Sequence, residues 1–326
     1  MDTSTAVEDD AANAGVHRIE FDVDWPPGFA SAFVLTGTEP VLIDAGFAGN
    51  GGDETFRAAL AELGVVPGDI KHVVITHQHI DHIGMVNTVR EAGNPRIYAP
   101  ASWNERPPID DKEIAQCVRE AGVPEPMVES IVAEFSETRS NVNRQLNRDW
   151  VDEWIVDGQQ FTVGEYPFTA HRTPGHHRDH LCFVVEQPTE RALFSGDMAI
   201  PTFRAPILHA VFQAEQANGV RAYQDGLNRL GTLDVEWVYP GHGPVHADLG
   251  GAVEMAHRRL KKLVDRTERA LGATGTHAVT AASERTDDIS SGPWVPEAVA
   301  ALAHLEREGR AESVLEDGVR MYRPVE

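Results

Sequence analysis

A chain of 326 residues, 41% hydrophobic and 24% charged, is long enough for one large core with a small appendage and has the composition of a soluble globular protein. No apolar run approaches the roughly 20 residues needed to span a bilayer, and a net charge of -23 leaves no broad basic footprint for nucleic acid. The two cysteines, Cys117 and Cys182, form no CxxC pair, which argues against a disulfide framework or a cysteine-rich zinc finger and makes a cytoplasmic address the default.

In chain order, residues 1–16 are polar and acidic, with neither the basic nor the apolar region of a signal peptide, and read as a frayed tail. Residues 17–24 alternate apolar and polar, the period of a half-buried strand. Further strands are expected at 30–36 and 40–44, the second ending in Asp44-Ala45-Gly46; Asp44 is either a turn former or a carboxylate at a site edge. A helix over 53–63, with Asp53 as its cap, precedes a strand at 71–75 and a helix from His82 to Glu91. Residues 95–99 fit another strand, so the opening half has an α/β rhythm. Residues 100–153 break it with helical segments interrupted by Pro107-Pro108, Pro124 and Pro126, read as an insertion over one face of the domain. Short strands at 154–156, 160–163, 166–171, 181–186 and 191–195 suggest a second, antiparallel sheet, with a turn at Gln187-Pro188. A helix from Gln213 to Leu230, a strand from Val235 to Tyr239 and a helix over 252–272 follow. Past Gly272–Gly275 the chain looks like a small separate unit, with a helix at 294–308 and two strand-like runs near 311–323.

Charge hints at a boundary earlier, near residue 251. Residues 251–326 carry a net of -2 and the preceding 250 residues a net of -21. Only Lys71, Lys112, Lys261 and Lys262 are lysines, and an acid-rich, lysine-poor surface suits a salty cytoplasm in which screening suppresses self-repulsion.

Residues 76–82, Thr-His-Gln-His-Ile-Asp-His, concentrate potential metal ligands directly behind an apolar strand. His77 and His79 flank Gln78, so in extended backbone they point the same way. Asp81 and His82 would reach a second position from the start of a helix. Three later stretches each add one strong ligand at a strand-to-loop junction beside a glycine: His176 in Thr-Pro-Gly-His-His, Asp197 in Ser-Gly-Asp, and His242 in Pro-Gly-His-Gly. Seven ligands exceed one tetrahedral zinc and suit two metals sharing a carboxylate.

These four motifs, in this order, resemble those of the metallo-β-lactamase-fold hydrolases over roughly residues 17–250. The resemblance implies an αβ/βα four-layer sandwich with two divalent metal ions at one edge. Carried over by position, His77, His79 and His176 would bind the first metal, and Asp81, His82 and His242 the second. Asp197 would bridge them, and Asp44 would steady the ligands. His180 falls where such proteins often carry a histidine near the substrate, as a supporting or substrate-facing group. Zinc is the expected metal, with iron or manganese as alternatives.

Glu254 to Leu260 and Leu302 to Arg310 resemble the C-terminal part of the β-lactamase-like protein 2 group, in which a small helical, winged-helix-like domain follows the hydrolase core. Residues 251–326 are expected to form such a domain, which could serve nucleic-acid binding, packing or a homodimer contact; its near-zero net charge favours packing. The expected activity is hydrolysis by a metal-bridging hydroxide, with Asp81 orienting the nucleophile and a small-molecule ester, thioester or lactone as substrate. The apolar residues 200–212 lean toward such a substrate. The alternative is an endoribonuclease cutting single-stranded RNA. A third reading, non-hydrolytic binding or redox work, is opposed by the intact His79 and His82. No membrane partner is expected.

Overall fold

The computed structural model describes residues 15–105, 110–187, 190–208, 218–286 and 293–325. Most of the acidic tail, the Pro107-Pro108 break, Pro188 of the expected turn, the apolar run past Leu208 and the expected helix start at Gln213 lie outside the described residues.

Period-two alternation in strands buried on both faces sets the architecture. One sheet runs β1 (Val16–Asp22), β2 (Phe29–Leu35), β3 (Val41–Ile43), β4 (His72–Val74), β5 (Arg96–Pro100) and β6 (Glu153–Ile155). β1 to β3 pair antiparallel and β3 to β6 pair parallel. The other sheet is built from β7 (Gln160–Val163), β8 (Tyr166–Arg172), β9 (Leu181–Glu186), β10 (Arg191–Gly196) and β11 (Trp237–Pro240). It is antiparallel except for the parallel β10–β11 pair. β6 was expected in the second sheet. It joins the first because it returns from the helical insertion alongside β5.

Alternate side chains of each strand face different cores. Phe33, Ile43 and Val74 of the first sheet meet Phe168, Phe183, Phe194 and Tyr239 of the second in the central layer. The Phe33 ring stands edge-on to Phe194 at 5.4 Å and to Tyr239 at 5.5 Å. Each such fully buried aromatic contributes roughly 1.5–3 kcal/mol relative to an exposed one. The opposite face of the first sheet, with Val34, Leu42, Val73 and Ile97, packs on Phe56 and Leu60 of α1 (Gly52–Glu62) and on Val86 and Val89 of α2 (Val86–Gly93). Asp53 lies in the first turn of α1 behind the N-cap Gly51, which supplies no side-chain cap. α2 begins four residues later than expected, so Asp81 and His82 sit in a turn before it.

The insertion holds α3 (Ala101–Asn104), α4 (Asp111–Glu120) and the long α5 (Glu125–Gln145). Val142 and Leu146, at the end of α5, pack into the core beneath α2. α4 reaches the other way: Val279 N–H donates to Ala121 O at 3.0 Å, and Arg320 pairs with Glu120 at 2.8 Å.

On the outer face of the second sheet, Cys182, Val184, Leu193 and Val238 pack against α6 (Gly219–Leu230) and α7 (Leu249–Leu271). The same apolar cluster continues through α8 (Ala278–Ser283), α9 (Trp294–Arg307) and the hairpin of β12 (Ala311–Glu316) and β13 (Val319–Pro324). Helices, two sheets and helices thus form four layers, and the C-terminal helices and small sheet extend the last one. Asp248 starts α7 by accepting from Gly251 N–H at 2.8 Å. No helix among the described residues is long and apolar enough to cross a membrane.

Candidate metal centre

Every candidate ligand named from the sequence lies just beyond the C-terminal end of a strand, at one edge of the sandwich. His77 to His82 follow β4, His176 follows β8, Asp197 follows β10 and His242 follows β11. Backbone hydrogen bonds stitch the sheets together there: Leu181 N–H to Thr76 O at 2.9 Å and Ser31 N–H to Gly241 O at 2.7 Å. Two glycines permit the approach. A Cβ on Gly241 would stand 2.5 Å from His82 Cε1 and 2.8 Å from Asp197 Oδ1, and one on Gly196, at φ 47°, would stand 2.6 Å from His180 Nε2.

The ligand atoms form two groups. Those of His77, His79, His176 and Asp197 lie within 4.8 Å of one another, and so do those of Asp81, His82 and His242. In the first group His79 Nδ1 is 2.9 Å from His77 Nε2 and 2.8 Å from His176 Nε2, and Asp197 Oδ2 is 3.1 Å from His176 Nε2. In the second, His242 Nε2 is 3.3 Å from Asp81 Oδ2, and His82 Nε2 is 4.0 Å from the same oxygen. Asp197 touches both groups, because its Oδ1 lies 3.2 Å from His82 Nε2 and 3.5 Å from His242 Nε2. All are buried except His79, which is half-buried and marks the side open to solvent.

The far nitrogen of four rings is engaged outside the cluster. His176 Nδ1 donates to Pro206 O at 2.7 Å, His242 Nδ1 to Phe29 O at 2.6 Å, and His82 Nδ1 to Asp44 Oδ2 at 2.8 Å. Carbonyl and carboxylate oxygens only accept, so these Nδ1 atoms carry a proton, and each ring turns its Nε2 inward as the atom available to a metal. His77 Nδ1 lies 3.1 Å from Thr76 Oγ1, whose own proton goes to Asp44 at 2.8 Å. Lone pairs and carboxylates pointing at one another in a dry site need a cation between them. Buried His82 Nε2 and Asp197 Oδ1 make no hydrogen bond at all. The donor set therefore fits two divalent ions.

Electrostatics separate the two groups. Burial, reinforced by neighbouring histidines, holds His77 and His176 well below the usual imidazole range, and burial lowers His79. Burial would lower His82 and His242 as well. Asp197, Asp44 and Asp81 outweigh it at His82, which is raised well above its usual value. Asp197 and Asp81 outweigh it at His242, which rises to about 10. Burial opposes ionisation of Asp81, yet His82 and His242 bring it down to about 2, and His242, His82 and His176 hold Asp197 well below the carboxylate range. The first group is thus a trio of neutral imidazoles beside one carboxylate, and the second is rich in charge.

Asp44 occupies the site edge that the sequence offered as one alternative. Its backbone lies in the left-handed region, at φ 53°, a conformation that aspartate tolerates better than most residues. It accepts from Thr76 N–H, Thr76 Oγ1 and His82, each at 2.8 Å. His180 takes a supporting position, not a substrate-facing one. It is fully buried, its Nε2 accepts from Asp197 N–H at 3.0 Å, and its Nδ1 meets Thr173 Oγ1 at 3.0 Å. Burial brings its pKa down to about 3, which keeps it neutral beneath Asp197.

Several groups at the site escaped sequence reasoning. The carbonyls of Pro206 and Phe29 orient two ligands without any side-chain signal. Asp179 is fully buried and accepts from Gln78 Nε2 at 3.0 Å beside the cluster. Its place between His177 and His180 was the available clue.

Comparison with known proteins supplies a family for this geometry. The profile of the metallo-beta-lactamase superfamily matches residues 25–242. The chain is 27% identical over 235 residues to an atrochrysone carboxyl ACP thioesterase of Aspergillus fumigatus, an overlap of 72% of this chain but only 54% of the thioesterase. It is 26% identical over 266 residues to the probable metallo-hydrolase YqjP of Bacillus subtilis, covering 74% of each. A metallo-beta-lactamase family protein of Thermus thermophilus superposes with a TM-score of 0.80 at 19% identity, covering 95% of this chain and 99% of that one. A beta-lactamase domain protein of Burkholderia ambifaria gives 0.73 at 16% identity, covering 96% and 94%. At such identities the likeness is one of fold, and its extent takes in the elements beyond Leu249.

Proposed function

The chain belongs to the metallo-beta-lactamase superfamily, and from that premise we propose that it is a metal-dependent hydrolase, a two-metal enzyme acting on a carboxylic ester, thioester or lactone. His77, His79 and His176 would hold one ion, Asp81, His82 and His242 the other, and Asp197 both. The carrying observation is the convergence of seven buried or half-buried donors, four of them imidazoles held in orientation by partners outside the cluster. Bound there, a pair of divalent ions supplies Lewis acidity, which makes water acidic near neutral pH and stabilises negative charge growing on the attacked carbonyl oxygen.

The chain's own groups do the rest. Asp81 accepts a hydrogen bond from the attacking water and aims it. Asp197 keeps the two ligand groups at fixed separation, and His180 beneath it fixes its backbone. Asp44 holds His82 in the tautomer that presents Nε2. The half-exposed Phe203 ring, 6.2 Å from the His242 ring, and the buried Ile200 and Ile207 give the segment after Asp197 an apolar character that suits an acyl chain. The thioesterase relative supports an acyl substrate.

The test joins metal analysis to a substrate panel at high salt: aryl esters, S-acyl thioesters, lactones, bis-aryl phosphodiesters and RNA oligomers. The reading expects close to two equivalents of zinc, iron or manganese and turnover confined to acyl substrates. A chain that takes up no metal on reconstitution, or one that cuts only RNA, would overturn it.

A further inference from the structure

The segment from Ala199 to Leu208 wraps the metal centre and lacks regular secondary structure of its own. Side chains from other elements fix it. His246 Nε2 donates to Ala199 O at 3.1 Å, and Arg259 of α7 donates to Thr202 O at 3.1 Å. Its densest anchor is Glu297, in the first turn of α9 and only 2% exposed. One carboxylate oxygen of Glu297 takes Arg204 and, at 3.4 Å, the Ile207 N–H; the other takes Arg285 at 2.8 Å. Between Arg204 and Ile207 lies Pro206, whose carbonyl receives the His176 Nδ1 proton at 2.7 Å. The Arg204 guanidinium also stands over the Tyr223 ring at 5.5 Å, and the Tyr223 hydroxyl reaches Asp197 O at 3.5 Å.

We infer that Glu297 is a positioning residue for the three-histidine metal site, acting from the C-terminal helices through Arg204 and Ile207 on the Pro206 carbonyl that orients His176. The physical basis is the cost of moving any part of this chain. Glu297 is a buried carboxylate between two guanidiniums, and it keeps its charge only while both stay in place. Helix α9 adds the favourable field of its N-terminus. A backbone carbonyl pinned on both sides by such a group has little freedom, so the imidazole it directs has little either. The ligands of the second ion are oriented from elsewhere, His242 by Phe29 O and His82 by Asp44, and the segment meets His242 through the Phe203 ring at 6.2 Å rather than through a hydrogen bond. The consequence is unequal, since the C-terminal unit would govern the three-histidine ion more than the other. The inference rests on the two-metal reading proposed above.

The experiment uses the full chain with Glu297→Gln and Glu297→Ala, loaded with Zn²⁺ against a chromophoric chelator or with Co²⁺ for its visible spectrum. Removal of an outer partner of a metal-bound histidine typically weakens binding about 10- to 100-fold. That loss is expected at the three-histidine site, with a clearly smaller change in the second equivalent and the folded far-UV signal retained. Arg259→Ala removes an exposed anchor of the same segment and should shift the same equivalent in the same direction by less. It keeps the question open to measurement should the Glu297 variants misfold. Glu268→Ala is the control, because it breaks an ion pair with Arg310 in the same unit, 2.9 Å at its Nε contact, without touching the segment. Wild-type affinity for both equivalents in the Glu297 variants, or in Arg259→Ala should they misfold, would overturn the inference. So would equal loss of both equivalents, or the same loss in Glu268→Ala. A wild-type chain that takes up no metal would instead overturn the reading of the site, and the inference with it.

Discussion

Asp44→Asn is a near-isosteric change that isolates one proton. In the native site Asp44 accepts from Thr76 N–H, Thr76 Oγ1 and His82 Nδ1, each at 2.8 Å. An amide has one acceptor oxygen and one donor NH2. If its oxygen keeps the Thr76 bonds, the NH2 faces the His82 Nδ1 proton. His82 must then lose that bond or move its proton to Nε2, the atom that faces Asp197 at 3.2 Å. A hydrogen bond to a charged group is worth about 1.5–3 kcal/mol, and 1.4 kcal/mol is tenfold in affinity, so the second ion should bind roughly 10- to 100-fold more weakly. Asparagine tolerates the left-handed backbone at φ 53° as aspartate does, so the folded state should survive. Chelator competition measures the second equivalent, and long-range proton–nitrogen NMR reads the His82 tautomer. Wild-type affinity with His82 still protonated on Nδ1 would refute the reasoning.

Asp197→Ala removes the carboxylate shared by both groups and should abolish retention of both ions and turnover together; metal analysis after desalting checks it, and wild-type hydrolysis would contradict the assignment. Glu297 contributes a pH-dependent part of stability. Burial alone would raise its carboxyl, but Arg204 and Arg285 outweigh that and lower it. Its stabilisation is therefore complete above the unfolded value of about 4.3 and is lost as pH falls through the lower folded value. Denaturant titrations between pH 3 and 7 should show a shallower acid-side slope in Glu297→Gln. Leu260→Ala opens a cavity in the apolar cluster that α7 shares with its neighbouring helices and should cost about 2–5 kcal/mol in urea unfolding. A loss well under 1 kcal/mol would mean that α7 is not part of the main core.

The cluster was legible because the sequence concentrates it: seven potential metal donors on four short motifs beside glycines leave few other uses, and the fold brings all seven together. The four-layer sandwich came with them through resemblance, and the strands were visible from their apolar runs. Strand partnership was less visible. β6 reads locally like its neighbours β7 and β8, and only the path of the insertion pairs it with β5. The start of α2 was misjudged because the turn at Asp81–Met85 is made by the site itself, with Ala45 N–H donating to His82 O at 2.7 Å. His180 could be placed near the metals but not beneath Asp197, since the same spacing serves either orientation. Glu297 gave no signal: a glutamate in the first turn of a helix is ordinary, and its meaning comes from Arg204 nearly a hundred residues earlier.

The stitching of the two sheets at Thr76–Leu181 and Ser31–Gly241 has a consequence for how the enzyme matures. On the two-metal reading each ion's ligands would straddle the sandwich: His77 and His79 would need His176 and Asp197 from the far sheet, and Asp81 and His82 would need His242. A nascent chain that has made only its first sheet owns no complete site and can hold neither ion firmly. Tight capture therefore waits for docking, and the bound ions then resist its reversal, because they bind the native chain and not the open one. Metal uptake during refolding should follow the slow, long-range closure of the sandwich, which makes the ions a latch on the finished fold as well as the reagents of its chemistry.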